Sequence, residues 1–145
     1  MMQNFPLDID QVRMLMSQHH ISPTQQRIEI ARVLFARPQH LSAEQVLSQV
    51  NEEVALVSKA TIYNTLGLFA RKGLIREVIV DPTKVFYDPT IVPHHHFYNV
   101  DTGTLMDIPA DAVDIGELPQ LPANTVATGV DVIIRVREIA AAEKK

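Results

Sequence analysis

In HLSAEQVLSQV, residues 40–50, Ser42 is followed three positions later by Gln45, with Leu41 before the pair and Val46 after it. A serine hydroxyl that accepts the third helical amide, answered by a glutamine that returns the bond, is a capping box. The flanking apolar pair staples the incoming chain against the first turn. A helix over about 43–53 is therefore expected. The next start is of the same kind. Ser58 caps VSKATIYNTLGLFARKGLI, with Val57 and Ile62 as staple, Ile62, Leu66 and Phe69 as apolar stripe and Gly73 as the stop. Two helices punctuated this tightly in tandem constrain the fold more than any other feature of the chain.

The flanks extend the pattern. Ile9, Val12, Leu15 and Met16 recur at helical spacing, which predicts a helix over about 8–19. Thr24 caps a second, whose apolar face is Ile28, Ala31, Leu34 and Phe35 and which ends before Pro38. After Gly73, LIREVIVDPTKVFYD places two β-rich runs around Asp-Pro-Thr-Lys, a hairpin with a type I turn. Helices followed by a two-stranded hairpin give the order of a winged helix-turn-helix. Pro89 and Pro93 mark a break, so residues 1–88 form a first domain, 89–93 a linker and 94–145 a second domain.

In the second domain HHHFYNV and TLMDIP flank the turn DTG and read as a hairpin. ADAVDIGELPQL reads as a short helix interrupted near Gly116 and Pro119. VATGVDVIIRVREI reads as a strand with Val130, Val132, Ile134 and Val136 on one face, and the AAAEKK tail as helical or frayed. The expected class is α+β: an N-terminal winged helix-turn-helix followed by a small α/β domain. The apolar face of the last strand needs a partner sheet or surface, which points to a homodimer.

Composition narrows the chemistry. With no cysteine among 145 residues, disulfides, Cys-type structural zinc, iron–sulfur clusters and thiol catalysis are excluded. No apolar run reaches bilayer length, and the acidic opening MMQNFPLDID lacks the layout of a secretory leader, so a cytoplasmic location and no membrane partner are expected. The net charge of −4 hides an asymmetry: residues 11–76 sum to +4 and residues 77–145 to −6. A basic first half is able to meet phosphate.

Reading duplex DNA takes a helix whose exposed face carries base-edge donors and methyl contacts, with hydroxyls, amides and cations near its start for phosphates. The helix after Ser58 offers Ser58, Lys59, Thr61, Tyr63 and Asn64. Tyr63 suits thymine methyls and Asn64 adenine, while Lys59, Thr61 and, from the preceding segment, Gln25 and Arg27 suit phosphates. The other cluster is HHHFY. Along a strand His94, His96 and Tyr98 share one face, and His95, Phe97 and Asn99 the other.

ISPTQQRIEI, HLSAEQV and VSKATIYNTLGLFARKGLI, followed by HHHFY and GTLMDIP, together resemble the ferric uptake regulator family over roughly residues 12–137. The resemblance implies a dimeric, metal-responsive winged-helix transcription factor, mainly a repressor of iron homeostasis genes on A/T-rich palindromic operators, and not an enzyme. It aligns the family's His-x-His pair with His96 and Tyr98, its ligand from the DNA-binding domain with His40, and its later acidic ligand with Asp107. Asp88, beside Tyr87, supplies the remaining carboxylate. The implied metal site is His40, Asp88, His96 and Asp107, with donors suited to Fe(II), Mn(II) or Zn(II). An ion joining His40 to His96 and Asp107 would fix the angle between the domains.

A second family site is lost at Phe97 and Val130. HHHFY with no cysteine knuckle is most similar to the iron response regulator branch, which makes His94, His95 and Tyr98 candidate haem or additional metal ligands. A peroxide-responsive regulator, a metalloenzyme built on the histidines and a winged-helix module without metal control are the competing readings. No HExxH motif, nucleophile elbow or phosphate loop supports the enzyme.

Overall fold

The four N-terminal helices start where side chains can take up the first free amides. In the computed structural model, which describes residues 4–53 and 57–140, α1 spans Ile9–Gln18, α2 Gln25–Leu34, α3 Ala43–Glu53 and α4 Lys59–Arg71. Ser42 Oγ accepts the Gln45 amide at 3.2 Å and Gln45 Oε1 accepts the Ser42 amide at 2.9 Å, which is the capping box read from sequence. Asp8 and Gln11 form a second box at α1, with both bonds under 3 Å. Thr24 and Ser58 cap α2 and α4. The end of α4 is set by Gly73 at φ +76°, with the Leu74 amide reaching Phe69 O and the Gly73 amide Ala70 O. Such a paired ending needs a left-handed residue, which glycine adopts without strain.

The helices bury Met16, Ile30, Leu34, Phe35, Val46, Ile62, Leu66 and Phe69 in one core. Each such side chain contributes about 1.5–3 kcal/mol on removal from water. The hairpin follows as β1, Arg76–Asp81, and β2, Lys84–Asp88, paired antiparallel with a shift in register between Ile79 and Asp81. Asp81 Oδ1 closes its turn by accepting the Thr83 amide and hydroxyl at 2.8 and 2.7 Å. An isolated antiparallel bridge, Leu41 with Tyr87, ties β2 to the residues just before α3.

The chain divides into two units, Met1–Ile91 and Val92–Lys145. The second carries β3, His94–Asn99, β4, Thr104–Pro109, and β5, Ile133–Val136, in the order β4-β3-β5. β3 pairs antiparallel with β4 and parallel with β5. Register puts His94, His96, Tyr98, Asp107 and Leu105 on one face of this sheet and His95, Phe97, Asn99, Met106, Ile108 and Ile134 on the other.

Two expectations are corrected here. The helix expected in ADAVDIGELPQL is reduced to a single 3-10 turn, Ala110–Ala112. Gly116 adopts φ +69°, outside the helical region, and Pro119 and Pro122 cannot donate helix bonds. The last strand is also shorter than its apolar alternation suggested. Val130 lies outside it, and the Val132 amide donates to His95 Nδ1 at 3.1 Å rather than to a backbone carbonyl. The AAAEKK tail lies, from residue 141, outside the described residues. Among the described residues no helix is long and apolar enough to cross a membrane.

Candidate metal centre and nucleic-acid interface

His40 and Asp88 meet because of the Leu41–Tyr87 bridge. In an antiparallel pair the residue before one bridged position faces the residue after the other, so 40 comes opposite 88. His40 Nε2 lies 3.1 Å from Asp88 Oδ2. The Asp88 side chain is only 2% exposed. Its other oxygen accepts the Thr90 amide at 2.8 Å, which fixes the carboxylate plane and leaves Oδ2 toward the imidazole.

In the second unit His94, His96 and Asp107 each place a ligand-capable atom within 4.8 Å of the others. Asp107 is the cross-strand partner of His96, and His94 stands one pleat along on the same face. His94 Nε2 and His96 Nε2 lie 3.4 and 3.3 Å from Asp107 Oδ1, and the two rings are 4.6 Å apart. The tautomer of His94 is decided by its neighbour. Its Nδ1 lies 2.7 Å from the Val92 carbonyl, which can only accept, so Nδ1 carries the proton and a neutral ring turns the Nε2 lone pair toward Asp107.

A neutral imidazole nitrogen and a carboxylate oxygen are both lone-pair donors and can share a cation between them. Donor atoms held about 2.1 Å from one ion stand about 3.0–3.4 Å apart in octahedral or tetrahedral sets. The separations of 3.1, 3.3 and 3.4 Å in the two groups fall in that interval. Imidazole and carboxylate without thiolate suit Fe(II), Mn(II) or Zn(II), so the residues present fit a divalent metal.

All four ligand residues expected from sequence thus have ligand-capable neighbours, two in each unit. His94, expected only as an additional ligand, flanks His96 on this face on the side opposite to Tyr98, which the sequence alignment gave. Tyr98 is buried on the same face and registers against Leu105. His95 points to the other face, where its Nδ1 is taken by the Val132 amide. What brings His94 into the group is the 3.4 Å approach of its Nε2 to Asp107 Oδ1, which the sequence does not print.

On α4, Lys59, Tyr63 and Asn64 are exposed. Ser58 Oγ both caps the helix and donates to Thr61 Oγ1 at 2.9 Å. Gln25 donates to Glu29, and Arg27 reaches the Ser22 carbonyl at 2.9 Å, so both are held along α2. Sequence reasoning missed Glu44, in the first turn of α3. Its Oε1 accepts the Tyr63 hydroxyl at 2.9 Å and lies 3.3 Å from Lys59 Nζ. The hydrogen bond from Tyr63, then Lys59, lowers the Glu44 carboxyl below its ordinary pKa; the same bond chiefly raises the Tyr63 phenol. No periodicity or motif could have paired position 44 with 63.

The sequence model described as "Ferric uptake regulator family" matches residues 18–125. The "Ferric uptake regulation protein" of Synechococcus elongatus is 35% identical over 94 residues, covering 62% of this chain and 64% of that protein. The "Peroxide-responsive repressor PerR" of Staphylococcus aureus is 27% identical over 84 residues, covering 58% of this chain and 57% of that protein. Both matches therefore span less than two thirds of the relative's length. The ferric uptake regulator of Helicobacter pylori, a structure described as revealing three functional metal-binding sites, superposes with a TM-score of 0.68 at 15% identity, covering 99% of both chains. At that identity the likeness speaks for the fold.

Proposed function

The chain belongs to the ferric uptake regulator family, and from that premise we propose that it is a homodimeric transcription regulator whose grip on A/T-rich palindromic duplex DNA responds to a divalent metal. The observation that carries this reading is the convergence of His94 Nε2 and His96 Nε2 on Asp107 in a chain whose other unit presents Lys59, Tyr63 and Asn64 on an exposed helix. The ion supplies a positive charge that these acceptors share and a reason for the two units to move together. His40 and Asp88 offer two donors, and His94, His96 and Asp107 three. Ions of this type take four to six ligands. Binding of the ion is expected to favour one arrangement of the protein over others. The arrangement in turn sets the spacing of the two recognition helices against a palindromic site.

Haem response is the finer alternative. The carboxylate facing both imidazoles favours a bare ion, since haem iron takes imidazole or phenolate without one. Soret absorbance on haem addition, lost when His94, His95 and His96 are replaced by alanine, would reverse that preference. The likeness to a peroxide-responsive repressor favours one sub-case: with iron bound, peroxide adds 16 Da to His40 or His96 in a peptide mass map.

Linkage gives the test of the main reading. Whatever factor metal contributes to DNA affinity, DNA contributes to metal affinity. Calorimetric titration of Mn(II) into the protein is expected to give one ion per chain, bound more tightly when an A/T-rich palindromic duplex is present. Two independent ions per chain, or a Mn(II) affinity indifferent to DNA, would contradict it.

A further inference from the structure

The recognition helix carries its two most exposed DNA-facing groups under restraint. Lys59 and Tyr63 lie one turn apart on α4, and one oxygen of Glu44, on the neighbouring α3, holds both: the phenol at 2.9 Å and the ammonium at 3.3 Å. The Lys59 ammonium also sits 5.9 Å from the Tyr63 ring centroid. All three side chains reach solvent, at 60% exposure for Glu44, 64% for Lys59 and 45% for the Tyr63 residue. A surface trio like this contributes little to folding. Its arrangement matters for what the helix offers to a partner.

A phenol has one proton to donate. With that proton on Glu44, Tyr63 cannot donate to a phosphate or a base carbonyl. It presents its ring edge for methyl contact and an oxygen lone pair that can only accept. A carboxylate beside the surface that meets DNA also subtracts from the sequence-independent attraction to phosphate, and Lys59 must exchange Glu44 for a phosphate to be counted in it. A residue that weakens the indiscriminate component while fixing the reader raises the ratio of specific to non-specific binding.

We propose that Glu44 is a positioning residue for sequence discrimination: it holds the Tyr63 ring in its reading orientation and keeps Lys59 neutralised until the correct duplex displaces it. The proposal rests on the reading of α4 as a DNA-recognition helix, and the experiment separates the two. A randomised duplex pool is first selected on the Mn(II)-loaded wild-type protein. Failure to enrich any sequence would count against DNA recognition itself and leave the Glu44 assignment without a function to serve.

With an enriched duplex and a random duplex of equal length, affinities are measured by anisotropy over a series of salt concentrations. Glu44→Ala is expected to lower the specific-to-random ratio on the order of tenfold and to steepen the salt dependence on random DNA by about one ion, because Lys59 is released. Tyr63→Phe is expected to give a similar loss of ratio, and the double variant no more than either alone. Glu44→Gln keeps an acceptor for the phenol but drops the charge; it is expected to keep affinity for the enriched duplex while tightening on random DNA. Ultraviolet titration, with Tyr63→Phe as the difference reference, reads the contact directly: the Tyr63 phenol, raised by its bond to Glu44, returns toward its ordinary range in Glu44→Ala. A ratio within twofold of wild type in Glu44→Ala, additive losses in the double variant, or an unmoved tyrosine titration would each overturn the proposal.

Discussion

Tyr98 and His94 flank His96 on β3, one pleat to either side, and the choice between them separates a sequence alignment from a candidate site. Both side chains share the face that carries His96, so alternation alone cannot rank them. The side-chain atoms favour His94, whose Nε2 lies 3.4 Å from the same Asp107 oxygen that His96 Nε2 approaches at 3.3 Å. His94→Ala is therefore expected to lower Mn(II) affinity by at least the roughly tenfold that even outer partners of metal ligands contribute, whereas Tyr98→Phe leaves it within about threefold. Isothermal titration of the two variants checks this, and the reverse order would restore the alignment's pair. The remaining residues of the site were legible as types at positions: a histidine before the capping box, a carboxylate after the hairpin, an aspartate after the DTG turn. Their pairing, His40 with Asp88 above all, depends on the Leu41–Tyr87 bridge, a long-range contact that no local pattern encodes.

At the scale of elements, legibility followed capping. The helix starts came within a residue of expectation because each is written as a side chain able to bond a free amide, and the end of α4 because a glycine follows it. Ser42→Ala removes one such bond at α3, that from the Gln45 amide to Ser42 Oγ. Only the Gln45 amide loses its acceptor, since the backbone amide at position 42 still meets Gln45 Oε1; the change is expected to cost about 1 kcal/mol of stability, read as a lower urea midpoint with an unchanged slope. A midpoint equal to that of wild type would mean that water replaces the cap without loss. The second unit was less legible, since its elements are short and carried by pairing rather than by local signals. ADAVDIGELPQL was read as a short helix, but Gly116 and Pro119 within it and Pro122 after it prevent one, and only Ala110–Ala112 turns. The last strand fell short at its start because the His95 ring, not a neighbouring strand, takes the Val132 amide.

For the whole molecule, the two faces of the β4-β3-β5 sheet divide the work. One gathers His94, His96 and Asp107. The other leaves Met106 67% exposed beside Phe97 and Val136 around a groove of about 270 Å³, with Ile134 39% exposed on the same face. An apolar sheet face of this kind is costly to leave in water, and a second copy of the chain is the partner expected to cover it. Met106→Glu places a charge there, and sedimentation at micromolar concentration is expected to turn a dimer into a monomer; a wild-type monomer would remove the dimer from the account. The central claim of the proposal is that metal controls DNA binding through the histidines. Fluorescence anisotropy on an A/T-rich palindromic duplex at one fixed salt concentration, for wild type and His96→Ala with and without Mn(II), tests this most directly. The expected result is tighter binding by metal-loaded wild type and no response in His96→Ala. An equal affinity with and without Mn(II) in the wild type, or an undiminished response in His96→Ala, would contradict it.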